Sequence, residues 1–317
     1  MLELKDLHKD FILNNGKKIH ALNGVSFQVQ QNEVLGIVGE SGCGKSTLGR
    51  LILRLIKPDS GQIFFNNEEI SAVSMGEFRS RRKTMQMIFQ NPFASFNPKI
   101  RMGRALMELC HYYRMSDEES HAKIGRLLND TGLSADLLKR WPRELSGGQL
   151  QRFAIARALL SGPSLIIADE PLSALDVSVQ AQLLNLFGDL RAHRSMMMIF
   201  ISHDITVVEY FCDRIVVMYM GSIMEIIPAG QLSRALHPYT RSLQACVPQL
   251  DDYQQNSSTK QTALISGETP NPQALIQGCP FAPRCPEAQP QCSEFMPQLK
   301  EVTTGHTVRC LKIRNEE

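Results

Sequence analysis

The sequence predicts an α/β fold organised around a phosphate-binding loop, and three observations support that prediction. The apolar run Val34–Val38 has the length of a short buried strand and leads into the glycine-rich stretch "GESGCGKSTL" at 39–48. A second apolar run, "SLIIADEP" at 164–171, predicts another strand that ends in two carboxylates. An amphipathic helix is expected directly after the glycine-rich stretch, before Pro58, and its apolar face comprises Leu48, Leu51, Ile52 and Leu55.

The glycine-rich stretch fits the pattern G-x-x-x-x-G-K-[ST], with Gly39, Gly44, Lys45 and Ser46 at the fixed positions. Glycines allow backbone N–H groups to converge on phosphate oxygens, and the following helix N-terminus adds partial positive charge. Lys45 is expected to reach the β and γ phosphates and Ser46 to bind Mg²⁺. The alternative, a glycine-rich turn with a chance lysine, does not account for the flanking strand and helix. The remaining positions predicted to bind ATP are Glu40, Ser41, Gly42, Cys43 and Thr47.

The carboxylates of the second strand suit the chemistry of a bound nucleotide. Asp169 closes the strand and would bind Mg²⁺ through water, whereas Glu170 would face the γ-phosphate and polarise an attacking water. A strand that ends in a solvated acidic turn is the alternative for an isolated match. The presence of the phosphate loop in the same chain favours the catalytic interpretation.

Composition excludes several classes of function. The 317 residues contain 34 Lys and Arg against 32 Asp and Glu, which gives no support to bulk nucleic-acid binding or polybasic membrane binding. The N-terminal stretch "MLELKDLHKDF" lacks an apolar core, so no signal peptide is expected. The longest apolar runs are far shorter than the ~20 residues that a membrane span needs. We therefore expect a protein of the cytoplasmic face that reaches the membrane by docking on a partner.

A further glycine-containing motif decides the class. In "LSGGQLQRFAIARAL" at 145–159, Ser-Gly-Gly precedes a helix whose apolar face comprises Leu150, Phe153, Ala154 and Ala158. Here the sequence resembles the ATP-binding cassette (ABC) proteins, whose signature is LSGGQ. The resemblance extends over residues 1–240 in order. It implies a P-loop NTPase cassette with a RecA-like core, an antiparallel β subdomain and a helical subdomain at about 92–160.

The resemblance also implies roles for individual residues. Gln90, at the end of "MQMIFQNP", matches the Q-loop and would help to bind Mg²⁺, and Asp176 of "SALD" matches the D-loop. His203 matches the switch histidine, which would contact the γ-phosphate and hold Glu170. Phe11 resembles the aromatic residue that stacks on adenine, although a core or surface phenylalanine is a rival interpretation.

Two cassettes of this family close over two ATP molecules head to tail, so the signature completes the site of a second cassette. The residues implied to contact the γ-phosphate on the partner's loop are Ser146, Gly147, Gly148 and Gln149. The short apolar runs "VSFQV" and "GQIFF" fit the antiparallel β subdomain, and "RIVVMYMGSIMEI" predicts a hairpin around Gly221-Ser222.

The C-terminal part resembles one branch of the family. The segments at 237–248, 265–272 and 278–292 match the ATPase subunits of oligopeptide and dipeptide importers, most closely the F-type of the two paired subunits. The predicted division is a nucleotide-binding domain at 1–245, then a polar linker and an extension at 246–317. The implied partners are a second ABC ATPase subunit, expected to be a paralogue, two membrane permeases and a solute-binding protein.

Four of the eight cysteines crowd into the extension with the spacing C-x5-C-x6-C-x17-C: Cys279, Cys285, Cys292 and Cys310. A disulfide framework is the weaker interpretation in a reducing cytosol. The resemblance implies a 4Fe–4S cluster in some members, and a structural zinc ion or unmetallated thiols remain alternatives. For Cys43, a small filler of the loop is favoured over a redox switch.

The sequence thus predicts an importer ATPase that uses ATP and Mg²⁺ to drive peptide uptake. Nickel or metal chelates, or another solute of the same branch, are alternative cargoes. A soluble ABC ATPase of the translation or DNA-repair type is disfavoured. The chain has one phosphate loop and one signature, and the interval between Lys45 and Ser146 is too short for a long coiled coil. A metal or redox sensor in the extension could coexist with transport.

Overall fold

A computed structural model describes residues 1–173, 175–245 and 277–313, which fall into two compact units. The phosphate-loop unit comprises Leu2–Gln28, Leu35–Ser71 and the described part of Ser202–Glu317. The signature unit comprises Val29–Val34 and Ala72–Ile201, together with Met1. The predicted linker and the segment at 265–272 lie outside the described residues.

The phosphate-loop unit contains the predicted antiparallel β region. Four strands lie in the order β2-β1-β4-β5, and β1 pairs with β4 in antiparallel register. Leu2 and Leu4 of β1 are fully buried, as the alternation of a half-buried strand requires. The strands are β1 (Leu2–Ile12), β2 (Lys18–Val29), β4 (Ser60–Phe65) and β5 (Glu68–Glu69).

A second set of strands in the same unit carries the phosphate loop at one end. The order is β11-β12-β10-β9-β3; β3 runs parallel to β9, and β9 and β10 form the predicted hairpin. The extension pairs with this set, because β12 lies antiparallel to β10. The strands are β3 (Val34–Val38), β9 (Arg214–Tyr219), β10 (Ser222–Pro228), β11 (Lys300–Thr303) and β12 (His306–Val308). The helices of this unit are α1 (Lys45–Ile52), α7 (Ile205–Phe211), α8 (Pro238–Ala245) and α9 (Pro290–Glu294).

The helix after the phosphate loop is shorter than the apolar spacing predicts. It ends at Ile52, and Leu55 lies outside it with 46% of its surface exposed. Arg54 adopts a left-handed φ of 52°, which an α-helix cannot continue through. Its guanidinium is buried and donates a hydrogen bond to the carbonyl of Ile70. The helix thus ends before Pro58, in a left-handed turn at Arg54 whose side chain is held at Ile70.

In its described residues, the signature unit combines three parallel strands with five α-helices. The strands lie in the order β8-β7-β6, and every residue of β7 and β8 is buried, as in parallel sheets covered on both faces. The strands are β6 (Met85–Ile88), β7 (Leu165–Asp169) and β8 (Met197–Ile201). The helices are α2 (Met75–Arg81), α3 (Met102–Tyr112), α4 (Asp117–Asp130), α5 (Gly147–Leu159) and α6 (Val177–His193).

The part of the signature unit that the sequence predicts to be helical contains α3, α4 and α5. The predicted apolar face of α5 is buried throughout, with Leu150 and Phe153 fully inaccessible. Ser116 caps α4 and Ser146 caps α5 in the same way, each through a reciprocal hydrogen bond with the side chain three residues later. Across the described residues, no helix is both long and apolar enough to cross a membrane.

Candidate functional site

The phosphate loop connects β3 to α1 and bends sharply where it meets the helix. Gly44 is the N-cap of α1 and has a φ of 104°, a region that residues with a side chain rarely adopt. A Cβ atom at this position would lie 2.3 Å from the carbonyl oxygen of Ala21. Glycine is therefore required at this turn, and the N-terminus of α1, which favours a bound anion, follows the loop directly.

Lys45 is the first residue of α1, and its side chain folds back over the loop. The residue is 4% exposed, and its Nζ atom donates to the carbonyl oxygen of Gly39 at 2.6 Å and to that of Glu40 at 3.0 Å. The ammonium group thus lies inside the loop, where the sequence predicts the β and γ phosphates. Ser46 and Thr47 follow in the first turn of α1.

The signature unit brings together two residues that are 80 positions apart. The Gln90 amide donates from Nε2 to Oε2 of Glu170 at 2.8 Å. Glu170 follows directly on Asp169, the last and buried residue of β7. Glu170 has a left-handed φ of 46°, which is costly for a residue with a side chain and is found most often at functional sites. The contact joins the predicted Q-loop glutamine to the predicted catalytic carboxylate.

The signature motif forms the N-terminus of α5. The Ser146 hydroxyl accepts from the Gln149 N–H at 3.2 Å, while the Ser146 N–H donates to Oε1 of Gln149 at 3.0 Å. Gly148 packs so closely on α6 that a Cβ atom would lie 2.7 Å from Val179 Cγ1. The predicted D-loop residue Asp176 caps α6 by accepting the Val179 N–H at 2.9 Å. The signature and the D-loop are thus neighbouring helix N-termini.

Comparisons with known proteins match this arrangement. Residues 22–173 match the family model described as ABC transporter, and residues 224–292 match the one described as oligopeptide/dipeptide transporter, C-terminal region. The oligopeptide transport ATP-binding protein AppF of Bacillus subtilis is 44% identical over 98% of this chain and 96% of its own length. The oligopeptide transport ATP-binding protein OppF of Escherichia coli is 41% identical over 99% of this chain and 96% of its own. The chain belongs to the ABC transporter ATP-binding subunits.

Solved ABC cassettes share the fold. The cassette MJ0796, whose structure is a dimer bound to ADP and phosphate, has a TM-score of 0.66 and 30% identity to this chain. The match covers 72% of this chain and 99% of MJ0796. The protein is thus an ABC ATPase with a P-loop cassette, and it carries the C-terminal region of the oligopeptide and dipeptide branch.

Two further predicted residues of this ABC subunit lie on the surface of the phosphate-loop unit. Phe11 is near the end of β1 and 39% exposed, and Lys9 Nζ lies 5.6 Å from its ring centroid. An exposed ring is compatible both with adenine stacking and with an ordinary surface position, so its role stays a prediction. His203 is exposed and precedes Asp204, the N-cap of α7; its role as the switch residue also stays a prediction.

Cys43 is buried within the phosphate loop, with its sulfur 3.8 Å from Lys45 Nζ. Burial raises the pKa of the Cys43 thiol, and the neighbouring ammonium group opposes that shift without reversing it. A buried neutral thiol is chemically inert, which agrees with the role of a loop filler.

The four cysteines of the extension line one small cavity together with His237 and Phe281. The Cys279 N–H donates to the Cys292 carbonyl oxygen at 2.7 Å, which brings these two positions together. Burial raises the pKa of the Cys279 thiol to about 11, and the pKa values of Cys285 and Cys310 are raised for the same reason. Within the described ranges, no group of three or more His, Cys, Asp or Glu side chains is arranged to hold a single metal ion.

Several polar contacts of the extension were not predicted from the sequence. Glu225 on β10 is fully buried and accepts from His306 Nε2 at 2.7 Å and from the backbone N–H of Leu236 at 2.8 Å. Arg284, between two of the cysteines, contacts Glu40 of the phosphate loop. The sequence offered only a weak indication, because Arg284 lies inside the segment at 278–292 without any local pattern that identifies its partner.

Proposed function

We propose that this ABC ATPase powers an importer of dipeptides and oligopeptides. The observation that carries the proposal is the C-terminal region at 224–292, which matches the oligopeptide/dipeptide transporter model. Relatives that are 41–44% identical over nearly the whole chain are named as oligopeptide transport ATP-binding proteins, which supports the same cargo class.

The proposed chemistry assigns one task to each group of the site. Lys45 and the loop N–H groups bind the phosphates, and Ser46, Gln90 and Asp169 hold Mg²⁺, whose charge stabilises the transferred phosphoryl group. Glu170 orients the attacking water, with His203 at the γ-phosphate. The loop suits a polyphosphate, because its lysine is buried at a helix N-terminus and its N-cap glycine permits the left-handed turn into that helix.

The proposed assembly contains a second ABC ATPase subunit, which we take to be a paralogue, and two permeases. A solute-binding protein delivers the solute to the permeases. ATP-driven closure of the two cassettes would be transmitted to the permeases at the cytoplasmic face of the membrane. The surface proposed to meet the permeases includes a groove of about 620 Å³ in the signature unit, lined by apolar residues such as Met107 and Leu128 and by the charged residues Arg104 and Glu108. Phe93, three residues after Gln90, exposes half of its surface. An exposed aromatic side chain of this kind is suited to contact with a permease.

For the extension, we propose a 4Fe–4S cluster held by Cys279, Cys285, Cys292 and Cys310. Four thiols on one mainly apolar cavity are a suitable donor set, and the cationic iron–sulfide core of a cluster would offset the cost of ionising buried thiols. A single structural zinc ion and unmetallated thiols are the alternatives. Iron and sulfide analysis of anaerobically purified protein should give about four of each per chain. Stoichiometric zinc without iron would contradict the cluster.

To test the cargo, the chain is copurified with the permeases and the second ABC subunit encoded by neighbouring genes. The purified assembly is then reconstituted into vesicles. ATP hydrolysis should rise when peptide-loaded binding protein is added, and the same assembly carrying Glu170→Gln should not respond. Stimulation by a nickel chelate but not by peptides would reassign the cargo. Failure to assemble with any membrane protein would favour a soluble ATPase.

A further inference from the structure

Arg284 of the extension forms an ion pair with the phosphate loop. Its Nη1 atom lies 3.0 and 2.9 Å from the two carboxylate oxygens of Glu40 and 3.0 Å from the Tyr219 hydroxyl. The Arg284 side chain is 8% exposed and that of Glu40 is 21% exposed. Charge-assisted hydrogen bonds of this length are strong when they are shielded from water.

The local structure of the extension directs Arg284 toward the loop. Arg284 ends a single 3₁₀ turn, Ala282–Arg284, in which its backbone N–H donates to the Phe281 carbonyl oxygen. Phe281 is 1% exposed, and its ring centroid lies 5.4 Å from that of Tyr219 and 5.2 Å from that of Tyr239. The aromatic cluster fixes the turn, so the guanidinium group needs little further ordering to reach Glu40.

Three groups of Glu40 are engaged in this arrangement. Its N–H donates to the Tyr239 hydroxyl at 2.9 Å, and its carbonyl oxygen accepts from Lys45 Nζ at 3.0 Å. Its carboxylate receives the hydrogen bonds from Arg284. The residue is therefore held by the extension on one side and by the phosphate-binding lysine on the other.

A carboxylate at this position opposes the expected ligand. Glu40 is inside the loop that must accept a polyphosphate, and like charges a few ångströms apart repel strongly where water is partly excluded. We propose that Arg284 is a positioning residue for nucleotide binding: it neutralises Glu40 and holds its carboxylate aside, so that Lys45 and the loop N–H groups dominate the field at the phosphates. This inference rests on the proposed role of the loop.

The test uses the full chain, purified anaerobically, and titration calorimetry with Mg²⁺ and a nonhydrolysable ATP analogue. Arg284→Ala should weaken binding about tenfold, because it leaves the Glu40 charge uncompensated. Adding Glu40→Gln to that variant should restore most of the affinity. Arg284→Lys, which keeps the charge, should bind within about threefold of the wild type, and Glu40→Gln alone should bind about threefold more tightly, since the Arg284 charge is then uncompensated.

Arg241→Ala is the matched control, because Arg241 pairs with Glu287 of the extension and does not contact the loop. It should leave analogue affinity unchanged. Thermal unfolding without nucleotide, measured on every variant, separates loss of folding from loss of binding. Raising the ionic strength should reduce the defect of Arg284→Ala, because screening weakens the repulsion.

The possible results lead to distinct conclusions. Equal weakening by Arg284→Ala with and without Glu40→Gln would show a purely structural role and overturn the proposal, as would unchanged affinity in Arg284→Ala. If Arg284→Ala does not fold, weaker binding by Glu40→Gln alone would overturn it, and tighter binding would support it. Lys45→Ala tests the underlying assignment separately: if it binds the analogue like the wild type, the role of the loop itself is wrong.

Discussion

At the scale of single residues, the site depends on two ionisable side chains in unusual settings. Lys45 is buried, and its ammonium group donates to two backbone carbonyl oxygens. In the proposed mechanism it exchanges these neutral partners for phosphate oxygens when a nucleotide binds. Glu170 has a strained left-handed backbone and accepts a hydrogen bond from Gln90. We therefore expect a binding role for the lysine and a role in hydrolysis for the glutamate.

This difference predicts opposite phenotypes for two substitutions. Glu170→Gln should lower the rate of ATP hydrolysis by about 10²- to 10⁴-fold and leave nucleotide affinity nearly intact, because only the water-orienting carboxylate is lost. Lys45→Ala should weaken nucleotide binding by about 10- to 100-fold, because a charge-assisted phosphate contact disappears. Turnover and analogue binding measured on both proteins check the prediction. Hydrolysis by Glu170→Gln at the wild-type rate would show that another group orients the water.

At the scale of elements, the buried carboxylate of Glu225 connects the extension to the rest of the phosphate-loop unit through hydrogen bonds. Glu225 on β10 accepts from His306 on β12 and from the backbone N–H groups of Leu236 and His237, which precede α8. His237 is itself buried, and burial, aided by the charge of Arg241, lowers its pKa from 6.5 to about 3. Strand pairing, the start of α8 and the cysteine cavity therefore depend on a common polar cluster.

Glu225→Ala should lower the free energy of unfolding by about 3–5 kcal/mol, because it leaves the buried partners of the carboxylate unsatisfied. Urea denaturation of the full chain measures the change. Glu209→Ala is the control: Glu209 is an exposed residue of α7 in the same unit, and its loss should change stability by less than about 0.5 kcal/mol. A similar small effect in both variants would show that the Glu225 cluster contributes little net stability.

At the scale of the whole molecule, the proposed function assigns to the chain two halves of different nucleotide sites. The phosphate loop and the signature belong to different compact units, and the head-to-tail assembly implied by the family joins each loop to the signature of another cassette. A substitution in the signature should then act on the partner's nucleotide and not on the nucleotide bound by the same chain.

Ser146→Arg tests this arrangement. It should abolish hydrolysis at the site formed with the partner's loop, while the chain's own loop still binds nucleotide. The substitution also removes a helix N-cap, which costs about 1 kcal/mol. Ser116→Arg is the matched control, because Ser116 caps α4 through the same reciprocal hydrogen bonds without belonging to the signature. ATP hydrolysis by the assembled pair of cassettes should fall in the first variant only.

A combination of substitutions gives the stricter test. If Ser146→Arg is paired with a partner cassette mutated at its own phosphate-loop lysine, both changes affect one site, and the other should keep about half of the total hydrolysis. Loss of both sites in a properly assembled pair would contradict the head-to-tail arrangement.

The sequence by itself determined the phosphate loop, the strands β3 and β7, the buried face of α5 and the order of the nucleotide motifs. These features are local: residue spacing within a short window specifies a turn, a strand or a helix face. Even there, the apolar spacing placed Leu55 in α1, because nothing nearby indicated that Arg54 would turn inward to Ile70.

Only the tertiary structure decided which distant residues meet. Arg284 reaches Glu40 across 244 positions, Gln90 reaches Glu170 across 80, and His306 of β12 reaches Glu225 of β10 across 81. The physical reason is that a hydrogen bond or ion pair between distant residues depends on the path of the whole chain. The sequence around one partner contains no pattern from which the other could be identified. The sequence therefore identified the nucleotide chemistry, whereas the fold revealed the link between the cysteine-containing extension and the phosphate loop.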